Sequence, residues 1–333
     1  MQQTVRSLGV ALAAGLLGFF TPHARAYVSR VVDYQPGVGY ATEWATGAGF
    51  TNLAAVLGAP SSVTVDPDPQ FGGTFAVDPF APPYLSSQLL SLGAGGSLTV
   101  QLSRPALDDP ANPFGMDFIV FGSAGFVITN GDFTGGGVTD GSLFGASTGL
   151  TRVEVSPDGT TFYELAPSLA PVFDTYFPTD GTGDVFRPMN PALGEQDFNG
   201  LGLSGLRERY AGSAGGTGYD LAWARDAAGN PVALDAVSYV RLSVLAGHAE
   251  VDALTVVPEP GSAVLLGLGL LGLGVARRRG VSVEGMRCLA INRARRAGGT
   301  LALQTLRDRR RPCVPREASG VRPVYRRFPV HGP

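Results

Sequence analysis

Between residues 27 and 257 the apolar positions come in short runs, set apart by clusters of Gly, Pro, Ser and Thr. "SLTVQL" (97–102) alternates Leu98, Val100 and Leu102 with Thr99 and Gln101, the period-two pattern of a strand with one buried face. "DFIVF" (117–121) is continuously apolar after its aspartate, which predicts a central strand covered on both faces. In "TRVEVSPDGTTFYEL" (151–165) Val153 and Val155 alternate with charged residues until Ser156-Pro157-Asp158-Gly159. Proline presets φ at the second turn position and glycine accepts a left-handed one, so this stretch predicts a hairpin. A second hairpin is predicted in "YVRLSVLAGHAEVDALTVV" (239–257), turning at Ala246-Gly247-His248. Helical periodicity is scarce. One short helix is predicted in "TNLAAVLGAP" (51–60), capped by Thr51 or Asn52 and stopped by Gly58 and Pro60. Residues 66–84 and 166–209 read as long loops. Short strands between turn signals predict an all-β domain, a sandwich or a barrel.

The two ends depart from this pattern. At the N-terminus Arg6 precedes an unbroken apolar run, Leu8 to Phe20, and Ala24-Arg25-Ala26 fits a small-x-small cleavage site. Residues 1–26 are therefore expected to be a signal peptide for the Sec machinery, cut by signal peptidase before Tyr27. Near the other end "VPEPGSAVLLGLGLLGLGVARRRG" (257–280) holds a second apolar run, 261–276. As a helix it would rise about 24 Å, a little short of the ~30 Å hydrocarbon core. A single marginal transmembrane helix is expected there. Arg277, Arg278 and Arg279 would hold its far end in the cytoplasm and leave the body outside.

Charge divides the chain the same way. Residues 27–257 carry 8 Arg against 24 Asp plus Glu, a net charge near −16, whereas the whole chain stands at −3. Twelve arginines lie between Arg287 and Arg327. The tail 281–333, nearly free of acids and aperiodic, is expected to be disordered. The sequence contains no lysine, which excludes Schiff-base chemistry and a P-loop. His248 is the one histidine of residues 27–257, and Cys288 and Cys313 lie beyond the apolar run. A histidine-rich zinc site and a stapling disulfide are thereby excluded from the body.

Few stretches of the body invite chemistry. "GLGLLG" (267–272) satisfies G-x-G-x-x-G but lacks the strand before it and the acid after it that dinucleotide binding needs. "YAGSAGGTGYDLAWA" (210–224) has three readings: a tight loop leading Leu221 and Trp223 into the core, a backbone bend that lets Asp220 present a carboxylate to calcium, or a contact with glycan. "DTYFPTDGTGD" (174–184) fails as an EF-hand, because position twelve would be Arg187, but leaves Asp180 and Asp184 as candidate ligands of another calcium site. Asp108 and Asp109 read as a solvated loop. No G-x-S-x-G occurs, and a non-catalytic body is expected. The alternative is a secreted hydrolase of carbohydrates using paired carboxylates.

The tripeptide Pro258-Glu259-Pro260, the apolar span and the cluster Arg277 to Arg279 together resemble the PEP-CTERM sorting signal of Gram-negative bacteria. Such signals normally end the protein soon after the arginines; here residues 280–333 follow. The resemblance implies an exosortase as partner, a transient anchor in the inner membrane, and delivery to the cell surface or extracellular matrix. "GGSLTVQL", "DFIVFG", "VEVSPDGTTF", "YAGSAGGTGYDLAWA" and "AEVDAL" also resemble exported discoidin-like or galactose-binding-like domains. That likeness implies an antiparallel β-sandwich of jelly-roll type over 27–257, polysaccharide as a ligand with Tyr210, Tyr219, Trp44 and Asn199 as candidate contacts, and a structural calcium. No nucleic acid is expected as a partner.

Overall fold

The computed structural model describes residues 25–43, 46–65, 73–147 and 149–259. Ala24, Trp44, Pro260, the expected span 261–276, Arg277 to Arg279 and the tail lie outside them. Among the described residues no helix is long and apolar enough to cross a membrane.

The described residues form mostly antiparallel sheets with few helices. The largest sheet has six strands in the order Val28–Gln35, Ser97–Leu107, Ala236–Ala246, Leu150–Ser156, Tyr163–Leu165, Ala224–Arg225. Another sets Phe118–Phe121 between Thr217–Tyr219 and Ala253–Val256, and a pair joins Leu90–Gly93 to His248–Val251. One apolar cluster draws on all three: Leu98, Val100, Val153, Val155, Val240 and Leu242 meet Phe118, Val120, Leu254, Leu90 and Val251. Each such side chain, withdrawn fully from water, stabilises the fold by roughly 1.5–3 kcal/mol.

The local patterns decide these strands as expected. Phe118 to Phe121 are all buried, with Phe118 and Val120 in the main cluster and Ile119 and Phe121 against Ala214 and Val257 on the other side. Leu98, Val100 and Leu102 face the core. Thr99, on the opposite face, is buried too, because Arg241 donates to its Oγ1 at 3.1 Å while lying 3.6 Å over the Phe162 ring. The Ser156–Gly159 hairpin forms: Asp158 Oδ1 accepts from the amides of Thr160 and Thr161, and Gly159 takes φ +77°.

The second predicted hairpin does not form. Ala236–Ala246 and His248–Val251 do not pair with each other; at Gly247, φ +75°, the chain leaves the six-stranded sheet and His248 pairs with Gly93 instead. Glycine tolerates that conformation for a change of sheet as readily as for a reversal. The short helix in 51–60 appears as one 3-10 turn, Leu53–Val56, capped by Asn52 through the Ala54 amide. An α-helix that the sequence did not reveal, Leu203–Tyr210, takes up the end of the expected loop 166–209 and runs one residue past it.

Both ends of the described body run along the same strand. Tyr27 bridges to Thr255, and the Val256 amide donates to the Ala26 carbonyl at 3.1 Å. Ala26, half of the expected cleavage site, is buried.

Candidate functional site

The expected calcium ligands do not come together. Asp180 forms an ion pair with Arg207, Nε to Oδ2 at 2.7 Å, and accepts from Thr182. Burial raises its carboxyl, but the bonds from Arg207 and Thr182 outweigh that and hold it below the usual range. Asp184 Oδ1 accepts from the Phe186 amide within a turn. Asp220 lies elsewhere, beside two acids that the sequence had not marked as ligands.

Asp108, Asp117 and Asp220 each turn a carboxylate oxygen into one small volume, all within 4.8 Å of one another. Three segments build it. Asp108 follows the strand Ser97–Leu107, Asp117 precedes Phe118–Phe121, and Asp220 caps the turn Leu221–Trp223 by accepting from the Ala222 amide at 2.7 Å. Asp117 is fully buried and organises the rest. Its Oδ2 accepts from the Leu221 amide at 2.8 Å; its Oδ1 accepts from the Asp109 amide at 3.2 Å and from Asn112 Nδ2 at 3.0 Å. Burial pushes its carboxyl up to about 7 against those three bonds, and the charge of Asp220 adds to the rise. Asp220 is raised by burial and then by Asp108; Asp108 is raised by burial and then by Asp235 and Asp109. The ion pairs among the described residues, Arg152–Glu164, Arg207–Asp180 and Arg241–Glu154, lie elsewhere. Here carboxylates face one another, an arrangement that accommodates a cation.

Three other buried acids, Asp174, Glu250 and Asp252, do a different job. Asp174, at φ +58°, accepts from the Ser123 and Ala124 amides at 2.6 and 3.0 Å through Oδ1 and from the Glu250 amide at 2.8 Å through Oδ2. Glu250, also buried, accepts from Ser91 and Ser123 hydroxyls. Burial, then the Glu250 charge, raises Asp174 well above its ordinary value. Asp252 is buried against Ser61, whose amide and hydroxyl both donate to it at 2.8 Å, and burial pushes it up to about 7.

The residues expected to touch sugars are placed differently from that expectation. Tyr210 and Tyr219 are both buried, their hydroxyls donating to the Pro178 and Pro171 carbonyls, so neither ring can face a ligand; Asn199 is exposed. A cleft of about 330 Å³ does present an aromatic, Tyr176, with Met116, Phe177, Met189 and Pro191 around it. Tyr176 is 50% exposed and leans on Phe177, which packs edge-on against the buried Phe198.

The last described residues lead directly into the tripeptide. Val257 is buried, its amide donating to the Asp117 carbonyl at 2.9 Å, and Pro258 and Glu259 line a second cleft with Ala26 and Arg104. Residues 256–279 match the PEP-CTERM protein-sorting motif. A search of curated proteins finds no match to the chain. The motif implies an exported protein that an exosortase processes and sorts at the membrane.

Proposed function

We propose that this chain is a non-catalytic surface protein: cut by signal peptidase near Ala26, held briefly in the inner membrane by residues 261–276, and released by an exosortase to the cell surface or extracellular matrix. The sorting motif directly beyond the last strand is the observation that carries this reading. In it, the body is an antiparallel β-sandwich of jelly-roll type, supported by one apolar cluster that takes side chains from the large sheet and from the smaller ones opposite it. Non-catalysis is supported by the state of the paired acids. Asp174 and Glu250 are buried and engaged by amides and hydroxyls, and in the Asp108, Asp117 and Asp220 group the oxygens crowd within 4.8 Å, closer than the roughly 5–10 Å at which a glycoside hydrolase sets two carboxyl groups across an open cleft. Intact mass and membrane fractionation of the native protein test the sorting. With the exosortase present, a released form lacking both apolar ends is expected. Full-length protein in the membrane in cells with and without the enzyme would overturn it.

Matrix polysaccharide is the ligand we assign to the body. The half-exposed Tyr176 ring beside an apolar cleft supports it, since sugar rings present C–H faces that pack on aromatic surfaces while their hydroxyls stay in water. Tyr176→Ala is expected to weaken binding to an acidic or neutral polysaccharide at least fivefold while shifting Tm by less than about 2 °C, because an exposed side chain carries little of the fold. Equal binding by both proteins across a polysaccharide panel would remove the assignment.

A further inference from the structure

We propose that folding of the body locks the bond at which the signal peptide is cut, so that signal peptidase acts only before the strand Ala253–Val256 docks, and a chain that folds first keeps its signal peptide. The proposal rests on the reading of Ala24 and Ala26 as the cleavage site. Its observation is the Ala26–Tyr27 peptide bond, both of whose polar atoms are engaged. The Ala26 carbonyl accepts from the Val256 amide at 3.1 Å, and the Tyr27 amide donates to Ser103 Oγ at 3.1 Å. The Tyr27 carbonyl accepts from the Ser103 amide at 2.8 Å, and on its other side Tyr27 bridges to Thr255. Chain therefore runs along both edges of this segment.

Side chains close what the backbone leaves. Ala26 is 4% exposed, its methyl group part of the main apolar cluster. The Tyr27 ring lies 5.3 Å from that of Phe186, and the Arg25 guanidinium lies 5.6 Å over the same Phe186 ring. A peptidase that cuts after Ala26 has to lay the chain out along an edge of its own, take the small side chain into a pocket and reach the carbonyl carbon. The folded chain offers no free edge, keeps the methyl group in its core and holds the carbonyl oxygen on Val256. Cutting then passes through opened forms only, and its rate follows their population.

The lock is set by the last strand of the body. Opening the bond means parting it from Thr255 and Val256, whose strand pairs with Phe118–Phe121 and leads directly to the sorting motif. Order of events decides the fate of the chain. Cut first, the body folds from Tyr27 and is tied to the membrane at one end. Folded first, it keeps an apolar run at each end, and release at the sorting motif leaves it held by the signal peptide.

The test is order of addition. Full chain is diluted from urea into detergent, with purified signal peptidase present at dilution or added after refolding, and intact mass reads the products. Cutting before Tyr27 is expected in the first arm and at least about tenfold slower in the second. Trypsin, which cuts after arginine, reads the same segment independently: the Arg25–Ala26 bond should survive in the refolded chain, although Arg25 is exposed, and be cut in the unfolded one. Val256→Pro has no amide to hold the Ala26 carbonyl, so its two arms should cut at similar rates, whether or not it refolds. Equal rates for the parent in both arms, or ready tryptic cutting at Arg25 in the refolded chain, overturn the proposal and leave the signal peptide in place. No cut by signal peptidase in either arm overturns the signal-peptide reading and the proposal with it.

Discussion

Asp174→Ala is expected to cost the body on the order of 5 kcal/mol or more, enough to remove most of the stability of a typical domain. Three buried amides, those of Ser123, Ala124 and Glu250, lose their acceptor at once. Each unsatisfied buried donor costs about 1–3 kcal/mol. The substitution also leaves alanine at φ +58°, a region that Asp tolerates better than Ala does. Urea unfolding followed by circular dichroism is the measurement. Asp174→Asn, which retains one acceptor oxygen, should fall between the parent and the alanine variant. A midpoint for Asp174→Ala within experimental error of the parent would contradict the role given to the side chain.

Stability should fall as pH rises from about 4 to about 7. Asp252 is the clearest cause. Buried against Ser61, it keeps its proton to about pH 7 in the folded chain, whereas the unfolded chain releases it near 4. Between those values the folded state binds more protons than the unfolded state, so stability declines with pH. Fully present below pH 4 and lost above 7, the contribution is on the order of 4 kcal/mol. Asp117, which burial pushes up to about 7, acts with the same sign. Asp252→Asn, whose amide stays neutral and still offers an oxygen to Ser61, should be more stable than the parent at pH 8 and differ little at pH 4.5. Parallel curves for the two proteins would show that Asp252 does not titrate in this window.

How much of this was legible depended on range in sequence. The hairpin at Ser156–Gly159 was, because its turn residues and flanking alternation lie within fifteen residues of chain. So was the central strand Phe118–Phe121, whose unbroken apolar run has only one kind of environment to occupy. The change of sheet at Gly247 was not. Period two tells which side chains share a face but not which strand supplies the partner, and Leu90–Gly93 lies far upstream. The helix Leu203–Tyr210 gave little signal, with Gly205 inside it and no side-chain cap at its start. Among the acids, sequence marked Asp220 in one glycine-rich stretch and Asp180 and Asp184 in another, and read Asp108 as solvated loop. The fold gives Asp180 an arginine and gives Asp220 the company of Asp108 and Asp117. Carboxylates at the ends of distant strands become a site only through topology, which single-sequence patterns do not carry. Arg207, the residue that takes Asp180 away, sits on the helix that was missed.

The pairing of Ala253–Val256 with Phe118–Phe121 makes the end of the body the last piece of its own fold. A chain threaded outward from its N-terminus delivers this strand last, and Phe118–Phe121 has no partner on that side until it arrives. Tyr27, near the start of the described body, waits for the same strand through its bridge to Thr255. Most of the polypeptide must therefore cross the membrane before its sheets can close. When they do close, the residues next in line are those of the sorting motif. The sheets therefore close only when the last strand before the sorting motif is in place, so a complete fold and an exposed motif come together.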